Sequence, residues 1–425
     1  MGLNTDLLER AKRVIPGGVN SPVRAFNAVG GNPPFIERGK GCRVWDAEGV
    51  EYIDYVASWG PLILGHAHPA IIEELKKTIE RGSSFGAPTE REVLLAETIC
   101  ERIPSIEMLR IVNSGTEATA AAIRLARGYT GRNKVLKMIG CYHGCVESLL
   151  VEAGSGVATL AIPSSPGITK ASAEDTLVAP FNDMNTVEKL FAEHGQNIAC
   201  VILEPVAGNM GVIPPEEGYL SSLRRICDDY SSLLVFDEVM SGFRVHPNSA
   251  QQLYGTKADI TCLGKVIGGG FPVGAFGGKK EIMSQISPLG PVYQAGTLSG
   301  NPVATAAGLT TLKRLDRDTF EQIEVRARRL EEKLLEGCKR AKVPATVNRV
   351  GTMLTLFFTD GPVKNYEDAA KVPQETYAKY FQGMLEQGIA LAPSTFEAAF
   401  VGLAHEDKDI DITIEAHEKA LQKLF

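Results

Sequence analysis

The chain has 425 residues, 44% of them hydrophobic and 22% charged, with 44 Lys plus Arg against 51 Asp plus Glu and a formal net charge of −7. That length outgrows a single hydrophobic core, so two or more domains are expected, and the mild acidity speaks against a nucleic-acid or anionic-membrane surface. No apolar run reaches bilayer-spanning length, residues 1–20 carry no signal or transit peptide pattern, and eight scattered cysteines without CxxC pairs point to a reducing cytoplasm.

Residues 1–50 match neither of the patterns that follow and are read as an N-terminal segment packed near the functional site. From 51 to 311, short β-branched runs alternate with helical patterns. Residues 109–113 predict a strand, 115–127 a helix and 135–139 a second strand. Residues 153–176, rich in Gly, Ser, Pro and Ala, predict a loop long enough to act as a lid. Residues 199–204 and 233–239 are near-continuous apolar runs that each close on carboxylates, and between them Leu220, Leu223, Ile226, Cys227 and Tyr230 fall at helical spacing. Strand, helix and strand in repetition predict an α/β fold, a large domain with a mostly parallel sheet covered on both faces. Ligands of such sheets bind beyond the carboxyl ends of the strands. From 312 to 425 the pattern turns to α+β and predicts a smaller C-terminal domain. It starts with a long charged helix whose apolar stripe holds Ile323, Leu330, Leu334, Leu335 and Cys338, followed by a strand over 353–358 and helices near 377–385 and 412–424.

Four segments at strand ends carry chemistry. Asn113-Ser114-Gly115-Thr116 lies between a strand and a helix, where backbone N–H groups attract anions and glycine admits a phosphate; it also reads as a plain helix cap. In Phe236-Asp237-Glu238-Val239 an apolar strand empties into two acids. Either acid can cap the next turn, but a carboxylate at the strand end can also keep a pyridine nitrogen protonated and make its ring an electron sink. Lys265 sits in the apolar, glycine-rich run Leu263 to Gly270. A desolvated lysine loses its proton readily and can condense with an aldehyde, whereas a lysine on a surface turn cannot be told apart from it by composition alone. Tyr142, between Gly140 and Gly144, can lie flat on a planar ligand or can be a buried loop tyrosine.

In their order and spacing these segments resemble the class-III aminotransferases of the aspartate aminotransferase fold, across essentially the whole chain. The resemblance is carried by the run from Pro16 to Phe26, Ser58-Trp59-Gly60-Pro61, Ser84 to Pro88, Val112 to Ala118, Gly140 to Gly144, Ala153 to Thr159, Asp237 to Arg244, Tyr293 to Asn301 and Leu391 to Glu397. It implies pyridoxal 5'-phosphate, alternating with pyridoxamine 5'-phosphate, as cofactor. Lys265 would be the Schiff-base lysine and proton shuttle, and Asp237 the partner of the pyridine nitrogen. Ser114, Gly115 and Thr116 would bind phosphate, with Tyr142 stacked on one ring face, Val239 on the other and Asn209 near the ring hydroxyl. Thr297 would reach the phosphate of a second subunit, which implies a homodimer. Ser21, Arg24, Trp59, Ser155 and Glu397 would shape the substrate pocket, with Arg24 pairing a substrate carboxylate through its planar fork. Three departures stand out: Met240-Ser241 where Met-Thr is usual, Cys145 where histidine is common, and Glu152 where lysine is frequent.

Within the group the resemblance points to an aminomutase that exchanges amino and oxo groups inside one substrate. The expected reaction turns (S)-4-amino-5-oxopentanoate into 5-aminolevulinate, the tetrapyrrole precursor. The alternative is an ω-aminotransferase with two substrates; many of these carry Gly-Phe-Gly-Arg where this chain has Gly242-Phe243-Arg244. A non-enzymatic regulatory domain binding the same cofactor ranks below both.

Overall fold

A computed structural model describes residues 2–151 and 165–424. Its central sheet has seven strands: β4 (Met108–Val112), β5 (Lys134–Met138), β6 (Thr176–Ala179), β7 (Ile198–Leu203), β8 (Leu233–Asp237), β9 (Ile260–Gly264) and β10 (Gly274–Gly278), in the order β4-β10-β9-β8-β7-β5-β6. From β6 across to β9 neighbouring strands pair in parallel, and β10 runs antiparallel between β9 and β4. The mostly parallel sheet expected from the alternating pattern is therefore present. The apolar runs are continuous because both faces are covered. Along β7, Cys200 and Ile202 pack with Ala118, Ala122 and Leu125 of the Gly115–Thr130 helix, while Val201 and Leu203 pack with Leu220 and Leu223 of the Tyr219–Tyr230 helix.

Strand ends are set by polar side chains. Residues 233–239 read as one run, yet β8 stops at Asp237 because its Oδ1 turns back to accept the Val239 N–H at 3.0 Å. Ser114 caps the following helix by accepting from Glu117 N at 3.1 Å, and Gly131 closes it in the left-handed region at φ 68°. The loop expected over 153–176 is interrupted. Thr169 caps a short helix, Lys170–Glu174, and β6 already begins at Thr176. The remainder of that loop, residues 152–164, lies outside the described residues.

A four-stranded sheet joins the two ends of the chain. Strands β1 (Ile36–Lys40), β2 (Arg43–Asp46) and β3 (Glu51–Asp54) are followed by β13 (Ile389–Ala390), which pairs with β3 in parallel. A third sheet, β11 (Thr346–Val350), β12 (Met353–Phe357) and β14 (Ala399–Phe400), completes the C-terminal region. Its long helix, Arg317–Ala341, buries Phe320, Ile323, Ala327, Leu330, Leu334 and Cys338 as the apolar stripe requires; Leu335 is only partly buried. The Asp407–Gln422 helix packs against it.

Candidate active site

Antiparallel β10 aligns Gly274 with both Val112 and Gly264. The ends of β4 and β9, and with them Ser114 and Lys265, therefore emerge at the same edge of the sheet as the ends of β5, β7 and β8. There they enclose a cavity of about 710 Å³. Lys265, Asp237, Asn209 and Glu397 line it together with Tyr142, Val239 and Ser114-Gly115-Thr116, and Ser21 and Trp59 form part of its wall. A larger cleft of about 1120 Å³, lined by Arg102, His246 and Arg349 among others, holds none of the residues predicted from the sequence.

Lys265 opens a 3-10 turn directly after β9 with φ 47°, a left-handed conformation that is strained for a lysine. Its side chain lines the cavity and makes no hydrogen bond among the described residues. Burial pulls the ammonium below the usual lysine range, while the negative charges of Glu397, Glu204 and Asp237 pull in the opposite direction. An amine held this way gives up its proton more readily than a free lysine, and the neutral form is the one that attacks an aldehyde.

Asp237 is fixed on both oxygens. Oδ1 accepts from Val239 N, and Oδ2 lies 2.8 Å from Nδ1 of the fully buried His143. A carboxylate acceptor requires the proton on Nδ1, so the imidazole is oriented by this contact; its Nε2 has no partner among the described residues. Glu204, just past β7, accepts from Tyr142 N, Gly208 N and Asn209 Nδ2, each at 2.9 Å, and burial raises its carboxyl pKa. Glu204 thus sets the backbone that carries Tyr142 and the side chain of Asn209.

Two close approaches shape the opposite wall. A Cβ on Gly115 would stand 2.9 Å from Val239 Cγ1 and one on Gly264 3.1 Å from the same methyl, so only glycines let Val239 lie between the helix start and the lysine turn. The Gly115–Thr130 helix directs its N-terminus at the cavity, and Ser114 uses its hydroxyl on Glu117 N. These groups meet the demands of a flat, phosphate-bearing aromatic aldehyde. They offer an anion site at a helix start, a carboxylate held for a ring nitrogen, a methyl and an aromatic ring for two faces, and a desolvated amine.

One residue expected at the substrate pocket is not brought to this cavity. Arg24 stands on the 3-10 turn Pro22–Ala25 but is exposed and does not line it, because Val23 and Phe26 on the same turn take the buried positions. Thr297, expected at the phosphate of a second subunit, is exposed in a segment that passes Asn113. Ser155 lies outside the described residues. His143 and Glu204 were not singled out in the sequence. Glu204 carried a usable signal, since its strand ends on a carboxylate as β8 does; His143 carried only its place beside Tyr142.

The class-III aminotransferase family profile matches residues 26–421. A curated relative from Brevibacillus brevis, named glutamate-1-semialdehyde 2,1-aminomutase 2, is 55% identical over 99% of each chain. An omega-transaminase from Sphaerobacter thermophilus superposes with a TM-score of 0.92 at 34% identity, covering 100% of this chain and 98% of its own. A transaminase with PLP bound follows at 0.89 and 31%, covering 99% and 97%. The chain belongs to the class-III aminotransferase family.

Proposed function

We propose that this protein is a pyridoxal 5'-phosphate-dependent aminomutase that converts (S)-4-amino-5-oxopentanoate into 5-aminolevulinate. The observation that carries the reading is the full-length 55% identity to the aminomutase, against 34% for the omega-transaminase. Ser114, Gly115 and Thr116 would hold the phosphate, Tyr142 and Val239 the ring faces, Asn209 the ring hydroxyl, Asp237 the ring nitrogen and Lys265 the aldehyde carbon. When bound, the cofactor supplies a conjugated electron sink and a carrier for the amino group.

The protein's own part is to place charges and move protons. Lys265, once its amine is free, takes a proton from one substrate carbon and returns one elsewhere, a role suited to a base whose pKa burial has lowered. Asp237 would meet the ring nitrogen with a carboxyl group that His143 and Val239 N hold in place on both oxygens. The substrate gives up its C4 amine only after gaining one at C5, so a diamine, 4,5-diaminovalerate, must stay in the site between the two halves. Trp59, Ser21, Ser155 and Glu397 would form the substrate side, with Arg24 reaching the carboxylate from its exposed turn. Thr297 would contact the phosphate of a second subunit. The exposed Phe85, Leu289, Tyr293 and Leu298 supply apolar area for such a homodimer, and the eight free cysteines fit a cytoplasmic setting.

The deciding experiment supplies the semialdehyde with no amino donor and no keto acceptor. Sustained formation of 5-aminolevulinate is expected. A burst equal to the enzyme concentration, restored only by a second substrate, would make the protein an ω-aminotransferase instead.

A further inference from the structure

Arg244 is among the largest fully buried side chains of the molecule. Among the described residues its guanidinium donates to Thr352 Oγ1 at 3.2 Å, to the Val401 carbonyl at 2.8 Å and to the Gly60 carbonyl, while its Nε has no partner. Thr352 Oγ1 in turn donates to the Arg244 carbonyl at 2.9 Å. None of these partners is a carboxylate, and burial pulls the guanidinium down to about 9. Burying a cation on neutral oxygens is unfavourable unless those contacts secure something else.

What they secure is an unusual turn. Ala57, Ser58 and Trp59 have φ of 46°, 57° and 68°, three successive non-glycine residues in the left-handed region, followed by Gly60 at 105°. Such backbone persists only where its surroundings over-determine it. Asp54 holds the entry by accepting from Val56 N at 2.8 Å and Ala57 N at 3.2 Å. Arg244 holds the exit at the Gly60 carbonyl. Gly60 also rests on the Phe400 ring, where an added Cβ would meet Cε1 at 3.1 Å, and the Arg244 guanidinium lies 5.3 Å from the centroid of that same ring. Trp59, carried on this turn, lines the cavity; so does Glu397, a few residues before Val401. One side chain therefore ties the loop after β8 to the turn bearing Trp59 and to the strand following Glu397.

We propose that Arg244 is a positioning residue for the substrate side of the cavity, holding the strained 57–59 turn so that Trp59 faces the substrate. The proposal rests on the cavity being the substrate site and names a determinant of its fit. A cross-link between regions with no such role would lower stability without moving Trp59.

The chain has two tryptophans, Trp45 and Trp59. Trp45 stacks with Arg38 at 3.6 Å and does not line the cavity, so Trp45→Phe leaves Trp59 as the sole reporter. In cofactor-loaded Trp45→Phe enzyme, Arg244→Lys and Arg244→Met are expected to shift Trp59 emission to longer wavelength, speed its quenching by acrylamide and reduce energy transfer to the cofactor. The KM for the semialdehyde should rise about tenfold with kcat changed less than about twofold in Arg244→Lys. Thr352→Val, which removes one contact orienting the guanidinium, should move the same signals less, and it remains informative should Arg244→Met not fold. Unchanged Trp59 signals and KM in folded Arg244→Lys and Thr352→Val would overturn the proposal. A shifted Trp59 in an enzyme whose parent does not turn over the semialdehyde would leave the positioning intact and sink the functional reading.

Discussion

Lys137 and Lys265 are both withdrawn from bulk water at the central sheet, yet their amines stand in opposite situations. Lys137, fully buried on β5, donates to the carbonyls of Cys141 at 3.2 Å, Leu149 at 3.2 Å and Val151 at 2.8 Å. An ammonium with three N–H groups engaged has no lone pair to offer, and it ties down the loop that carries Tyr142 and His143. Among the described residues Lys265 makes no such hydrogen bonds; it faces a cavity and feels the negative charges of Glu397, Glu204 and Asp237. Burial by itself does not make an amine a nucleophile. Burial without hydrogen bonds to the charged form does.

The contrast can be broken by swapping which amine is removed. Lys265→Ala should lower turnover roughly 10⁴-fold, through loss of the proton shuttle, and leave no borohydride-fixed cofactor on the protein by mass spectrometry. Turnover within tenfold of the parent would end the assignment. Lys137→Met should keep the covalent adduct but destabilise the fold by about 3 kcal/mol, since two buried carbonyls and one part-buried carbonyl lose their donor, and the cofactor should dissociate faster as Tyr142's loop loosens. Denaturant unfolding and cofactor release would measure both, and parent-like values would make the clamp idle. The smallest effect concerns pH. Because Lys265 is depressed below the ordinary lysine value of 10.5, its neutral form accumulates at lower pH than that of a free lysine. Capture of pyridoxal 5'-phosphate by stripped enzyme should then rise with pH and level off below 10.5. The same depression means the folded state binds its proton less readily than the unfolded one, so this residue's contribution to stability is present above 10.5 and is lost as pH falls through the depressed value. A capture profile still climbing at 10.5 would show an amine that burial has not perturbed.

Much of this site was readable in the linear chain because each residue there was marked by local context. Asp237 closes an apolar run, Lys265 interrupts a glycine-rich one, and Ser114 to Thr116 sits between strand and helix. Other parts were silent for physical reasons. Gly274–Gly278 reads GAFGG, a poor strand by propensity, yet as β10 it sets the register that brings Ser114 and Lys265 to one edge. His143 gives no local sign of its bond to Asp237, 94 residues away. Arg244 was visible only as a spacing difference from ω-aminotransferases, whereas its burial depends on Gly60, Thr352 and Val401 meeting from distant segments. Arg24 is the reverse case, a residue readable in the chain that the fold leaves on an exposed turn. A suitable guanidinium stood in the right run, and the packing of Val23 and Phe26 turned it outward.

The amino-acid sequence by itself determined the alternation of strand and helix and the polar residues at strand ends, because these follow from periodicities and runs spanning a few residues, while the family was carried by a resemblance along the whole chain. Tertiary structure alone decided which carboxylates surround the amine, which imidazole nitrogen meets Asp237 and which of two lysines has its N–H donors engaged by carbonyls. Those outcomes depend on distances between segments tens to hundreds of residues apart, and only the closed sheet with its covering helices sets them.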